Sequence, residues 1–256
     1  MAVAKYVQHY KLAPKISNSE GTFRFISLYS KNRQEWVETD IACILSGLTS
    51  VTLYDTLGKE SIEYILDQTQ IKTVFCSADK VNNILDLKKQ GKLPTVTHII
   101  YFDDFSGKEQ DTIEASASAK VALVKWEDCV AEGKQLQEIS FDDVTPDTCY
   151  TFSYTSGTTG MPKGVMLTHR NFVANIESMT KFDGSFNLYE TDTYISYLPL
   201  AHVMERLLMT SCLSYKLQYG FYSGDVLKIK EDLAALKPTI MVSVPRLYNR
   251  FFDLMQ

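Results

Sequence analysis

From Thr22 onward, short β-rich runs alternate with stretches of helical period, and that alternation restricts the chain to α/β architectures. Residues 22–28, 51–54, 72–76 and 96–102 read as extended. Residues 33–48, 61–70 and 81–90 carry apolar residues at helical spacing, with Trp36, Val37, Ile41, Ile44 and Leu45 in the first. The pattern resumes later: 149–154, 165–168, 194–198, 219–223 and 239–244 are extended, and 203–217 and 226–236 are helical. A final helix starts at Arg246 behind Pro245, whose fixed φ suits the first helical position. The expected fold class is α/β, with mostly parallel sheets and flanking helices.

Two polar stretches interrupt the rhythm. Residues 103–120 contain Ser106-Gly107 and a run of alternating Ala and Ser from Ala115 to Ala119, which reads as a surface loop. Residues 133–148 are rich in acidic side chains and divide the chain into residues 1–148, a first α/β subdomain, and 149–256, a second. Residues 1–11 place Val3, Val7 and Tyr10 on one helical face, which favours a packed helix over a targeting peptide. No run of about 18 uninterrupted apolar residues exists, so no spanning helix is expected. Net charge is −5 and no basic stripe occurs, which argues against nucleic acid as a partner. The five cysteines, Cys43, Cys76, Cys129, Cys149 and Cys212, are scattered without metal-ligand spacing and read as reduced, mostly buried thiols.

One loop carries chemistry. Between the strands 149–154 and 165–168 lie Thr155, Ser156, Gly157, Thr158, Thr159, Gly160, Met161, Pro162, Lys163 and Gly164. Four hydroxyls, three glycines and a lysine supply what a polyphosphate needs: close backbone approach, inward N–H and O–H donors, and a cation. The order is not that of a Walker A loop, because Lys163 follows Pro162 and precedes Gly164. Behind the second strand, Thr168 is placed to cap a helix bearing Phe172, Val173, Ile176 and Met179. Farther on, the run from Ile195 to Pro199 ends a strand, and His202 opens a helix at the sheet edge where α/β proteins gather ligands. Glu205 and Arg206 read as an exposed ion pair of little energetic weight.

The run from Tyr154 through the loop to Thr168-His169 closely resembles the signature of the adenylate-forming superfamily. The segment Pro199-Leu-Ala-His-Val-Met-Glu-Arg-Leu207 is similar to the version found in eukaryotic long-chain acyl-CoA synthetases. So are Ser30-Lys-Asn-Arg-Gln-Glu-Trp36, Leu53-Tyr-Asp-Thr-Leu-Gly58 and Gly220-Phe-Tyr-Ser-Gly-Asp225, and the likeness extends over nearly all of the chain from Phe25. The resemblance implies a partial N-terminal domain of the acyl-CoA synthetase fold and the activation of a long-chain fatty acid by ATP to an acyl-adenylate, then to a CoA thioester. It implies that Thr155, Ser156, Gly157, Thr158, Thr159, Gly160, Lys163 and Gly164 hold the leaving pyrophosphate. Thr158, Lys163 and His202 are then the catalytic set, with His202 on the carboxylate side.

ATP and CoA follow as co-substrates, and Mg2+ as a cofactor whose ligand is not in this chain. Fatty acid, ATP and CoA are the implied partners, and the implied location is the cytoplasm, including the cytosolic face of an intracellular membrane. The adenine pocket, the Tyr-Gly-x-Thr-Glu segment, the ribose aspartate, the hinge and the lid lysine of full-length members are not matched, so these residues alone should turn over negligibly. Ser223-Gly224-Asp225 imitates the ribose motif at the wrong place, and Asp225 is not assigned. Two alternatives stay open: a catalytically silent short paralogue that serves as an interaction subunit, and a ligase for another carboxylic acid. Oligomeric state and acyl chain length have no signal in the sequence.

Overall fold

The computed structural model describes residues 1–155, 161–181 and 187–255. The chain divides into two compact units, Met1–Val173 and Ala174–Gln256. In the first unit α1 (Ala2–His9), β1 (Lys15–Asn18), β2 (Gly21–Tyr29), α2 (Gln34–Ser46), β3 (Thr49–Leu53), α3 (Lys59–Gln68), β4 (Thr73–Cys76) and α4 (Ala78–Lys89) come first. Then follow β5 (His98–Tyr101), α5 (Glu109–Ala119), β6 (Ala122–Lys125), α6 (Trp126–Gln135), β7 (Cys149–Thr155) and β8 (Lys163–Thr168). Among the described residues eight strands form one sheet in the order β6-β5-β4-β2-β3-β7-β8, with β1 on the start of β2. The pairs β2/β3, β2/β4, β4/β5, β5/β6 and β3/β7 are parallel; β1/β2 and β7/β8 are antiparallel.

The expected mostly parallel α/β architecture is therefore present. Every residue of β3 and β4 is buried, as central parallel strands covered on both faces must be. Polar residues in this interior spend their hydroxyls on neighbouring backbone: Ser27 Oγ donates to Val51 O at 3.0 Å and Thr151 Oγ1 to Ser50 O at 2.8 Å. Trp36, expected in the core, is fully buried. In α1, Val3, Tyr6 and Val7 are buried while Tyr10 is exposed, its hydroxyl donating to the Glu132 carboxylate. The helix pair α1 and α6 packs so closely that a Cβ on Gly133 would collide with the Ala2 carbonyl.

Three readings change. Residues 103–120 are not a loop throughout, because α5 occupies Glu109–Ala119. Its Ala/Ser composition is what lets it pack: Thr112, Ser116 and Ala119 form a small buried face, and Thr112 Oγ1 donates to Lys108 O at 2.9 Å. The hairpin strand β1 and the β6–α6 unit add elements that the alternation did not mark. The units meet after Val173, whereas the acidic stretch suggested a division at residues 148 and 149; β7 and β8 hydrogen-bond into the sheet of the first unit. β8 is its edge, and Val165 and Met166 are exposed there at 44% and 40%. All five cysteines are free thiols, four of them buried.

α7 (His169–Lys181) starts in the first unit. Thr168 caps it as expected: its Oγ1 accepts from Asn171 N at 3.3 Å, and Asn171 Oδ1 accepts from Thr168 N at 2.9 Å. The second unit contains β9 (Thr193–Ser196), α8 (Val203–Ser214), β10 (Gln218–Phe221), α9 (Ile229–Leu236) and α10 (Pro245–Met255). β9 and β10 pair in parallel. The expected strand at 239–244 is reduced to one bridge, Ile240 with Tyr194. Pro245 does begin α10, and Asp225 caps a 3-10 turn by accepting from Leu227 N at 2.9 Å, a structural use of that carboxylate.

Candidate functional site

β7 runs parallel to β3, so its last residues arrive at the carboxyl edge of the sheet, where ligands of open α/β sheets bind. β8 returns antiparallel, and the register sets Thr155 opposite Lys163 and Tyr154 opposite Gly164. Thr155 and Lys163 are both exposed, one hydroxyl and one ammonium at the mouth of a hairpin. Gly164 is required by packing. A Cβ there would lie 3.0 Å from the Tyr154 ring, which is buried and donates its hydroxyl to Gln68 Oε1 at 2.6 Å. Burial pushes the Tyr154 phenol well above its usual range, so it remains a neutral donor. Thr155, Lys163 and Gly164 are thus brought together by strand pairing. Ser156, Gly157, Thr158, Thr159 and Gly160 lie outside the described residues.

Next to this hairpin, His169 stacks on the Tyr150 ring with centroids 5.3 Å apart, and Tyr150 donates to the buried Asp40 carboxylate. Burial lowers the His169 pKa, so the ring is neutral, and its enclosed Nε2 has no hydrogen-bond partner among the described residues. A cleft of about 700 Å3 opens in the same unit among Lys15, Arg24, Gly47, Asp142, Thr148 and Cys149. These residues flank the amino-terminal ends of β2, β3 and β7, the opposite edge from Thr155, and neither Thr155 nor Lys163 lines it.

His202 belongs to the second unit. It is exposed and caps α8, with Nδ1 accepting from Met204 N at 3.1 Å. That bond assigns the ring proton of a neutral imidazole to Nε2. One turn into α8, Glu205 and Arg206 are not an exposed pair: they are 0% and 1% exposed. The signal for this was in the sequence, because Glu205 starts the helical stripe Leu208, Met209 and Cys212, all buried. Its carboxylate accepts from Tyr194 at 2.6 Å and Tyr219 at 3.0 Å, and Tyr219 also meets Ser196 Oγ at 2.7 Å. Burial pushes the Glu205 carboxyl up to about 7, opposed by the hydrogen bonds from Ser196, Tyr194 and Tyr219. Among the described residues no group of three or more acidic, histidine or cysteine side chains could hold a metal ion.

The fold is that of an α/β protein whose hairpin sets a hydroxyl against a lysine at the carboxyl edge of a mostly parallel sheet. The family described as AMP-binding enzyme matches residues 21–256, and the chain belongs to that family. It is 37% identical over 227 residues to the peroxisomal long chain acyl-CoA synthetase 6 of Arabidopsis thaliana, covering 89% of this chain and 31% of that protein. It is 35% identical over 235 residues to long-chain-fatty-acid–CoA ligase 5 of Rattus norvegicus, covering 91% and 34%. The chain therefore spans about a third of the length of the curated relatives it matches. Among solved structures, the A domain of the carboxylic acid reductase from Segniliparus rugosus, in complex with AMP and a co-purified carboxylic acid, superposes with a TM-score of 0.78. The identity is 25%, over 96% of this chain and 40% of that one. Among the described residues, no helix is long and apolar enough to cross a membrane.

Proposed function

We propose that this chain is the polyphosphate-gripping portion of an AMP-forming long-chain acyl-CoA synthetase. Fatty acid and ATP give acyl-adenylate and pyrophosphate, and CoA then displaces AMP to form the thioester. The observation that carries the reading is the β7/β8 register, which sets Thr155 against Lys163 at the carboxyl edge of the sheet, on either side of a Ser/Gly/Thr connection. Lys163 and the hydroxyls of Thr155, Ser156, Thr158 and Thr159 hold the β- and γ-phosphates and spread the charge that develops on pyrophosphate as it leaves. The backbone at Gly157, Gly160 and Gly164 admits the phosphates closely. His202, its Nε2–H set by the helix cap, donates to the fatty carboxylate or to the oxygen it presents to the α-phosphate. Mg2+, when bound, would neutralise phosphate charge, and nothing in this scheme is routed through it.

The relatives named above are synthetases and ligases of long-chain fatty acids, which favours that substrate class over other acids. The AMP and carboxylic acid bound to the reductase domain support the nucleotide and acid chemistry. With about a third of those relatives' length, the chain by itself is expected to bind polyphosphate and to turn over negligibly. The test is direct: phosphorus NMR or calorimetry of ATP and pyrophosphate binding to the chain, with Lys163→Ala and Thr158→Ala. Each substitution is expected to weaken binding by about 10-fold or more, as loss of a charge-assisted donor does. Binding unchanged in both would overturn the loop assignment.

A further inference from the structure

We infer that Glu205 is a positioning residue, which holds the first turn of α8, and with it His202, through Tyr194, Tyr219 and Ser196 in a manner set by whether its carboxyl carries a proton. The catalytic consequence rests on the proposed role of His202; the coupling itself does not. A carboxyl at 0% exposure is rare unless it is tied down, and this one is tied to both strands of the second unit: Oε2 to Tyr194 on β9 and Oε1 to Tyr219 on β10. It sits three residues after His202, on the same first turn whose Met204 N–H the histidine ring caps. The titratable groups that act on it are the hydroxyls of Tyr194, Tyr219 and Tyr197 and the thiol of Cys212, with Arg206 beside it in sequence on α8.

The oxygens of this cluster can satisfy one another in either charge state. Ionised, the carboxylate accepts from Tyr194 at Oε2, from Tyr219 at Oε1, and from Ser196. When a proton from solvent binds Oε1, the carboxyl becomes the donor to the Tyr219 oxygen, and the Tyr219 proton turns to Ser196 Oγ, 2.7 Å away. Only an O–H bond is gained, and no hydrogen bond is lost. What changes is the direction of the bond between α8 and β10, and therefore the pull on the helix turn that carries the histidine.

The test uses the chain labelled with 13C at the methionine methyls and at the glutamate carboxyls, titrated by NMR from about pH 5 to about pH 9. Met204, next to the cap, is the reporter of the turn. The expected result is one glutamate resonance titrating above the others, and a Met204 shift with the same midpoint. Glu205→Gln should abolish that inflection although His202 is still present. Tyr219→Phe should move the midpoint to higher pH, because the ionised carboxylate loses a donor, and this variant decides the matter where Glu205→Gln does not fold. A Glu205 that titrates with the surface carboxylates, a Met204 trace identical in Glu205→Gln, or a midpoint unmoved in Tyr219→Phe would each overturn the inference. ATP binding is followed in the same samples. Its absence beside an intact Glu205 titration overturns the synthetase reading and supports the coupling.

Discussion

The two units solve burial differently. In the first, a continuous apolar core runs from Phe23 and Phe25 through Val51, Ile62, Val74 and Val81 to Ile99, with hydroxyls such as Ser27 and Thr151 bonded to backbone, and the unit's buried carboxylate, Asp40, accepts from Tyr150 outside that core. In the second, the apolar clusters are small: Ile195, Tyr197, Ile229 and Leu247 in one, Tyr194, Leu208 and Cys212 in the other. Between β9, β10 and α8 the space is filled by a carboxyl and two phenols. Hydrocarbon burial is indifferent to pH. A carboxyl whose burial favours its protonated form is not, so the Glu205 cluster of the second unit should feel proton activity where the hydrocarbon core of the first does not.

The sharpest way to break that contrast is to damage each unit and read both. Phe75, fully buried in β4, should cost about 3–5 kcal/mol when cut to alanine, and the loss should be the same at acid and neutral pH. The probe is convenient, because both tryptophans of the chain, Trp36 and Trp126, lie in the first unit, so their fluorescence in urea follows that unit alone. A pH-dependent loss would erase the distinction.

The next effect concerns the second unit. The Glu205 carboxyl, near 4.5 when unfolded and raised to about 7 when folded, keeps a proton in the native state that the unfolded chain has released. Stability is then highest below the lower value and falls as pH rises through that window, by up to about 3 kcal/mol. Glu205→Gln should flatten this fall and be the more stable protein at neutral and alkaline pH, read from far-UV circular dichroism in urea. Equal slopes in the two proteins would refute it.

A smaller effect sharpens the comparison from the other side. Gly133→Ala adds a methyl where the Ala2 carbonyl already sits, and should cost about 1–3 kcal/mol despite the better helix propensity of alanine. Trp126 begins the same helix α6 in the same unit, so the fluorescence transition should shift without any change in pH dependence.

The same contrast governs what could be read without coordinates. Strands β2, β3, β4 and β7 were legible because each is a short run of β-branched, aromatic and other apolar residues with hydroxyls among them. The hairpin that presents Lys163 was legible because two short extended runs flank a loop whose chemistry is written in consecutive residues. α5 was not, since a helix that buries only Thr112, Ser116 and Ala119 has almost no apolar period to detect. Glu205 was missed for the opposite reason. Charged residues are assigned to water by default, and only the spacing to Leu208, Met209 and Cys212 argued otherwise.

The outer strand β8 deserves a last consequence. Among the described residues it pairs on one side, with β7, and its exposed Val165 and Met166 flank an edge that can serve as a template for another chain. Lys163 stands at its first position, where a charge discourages such stacking. The lysine assigned to phosphate is thus also a gatekeeper of colloidal behaviour: Lys163→Ala should lower the concentration at which the chain aggregates, and Val165→Lys should raise it.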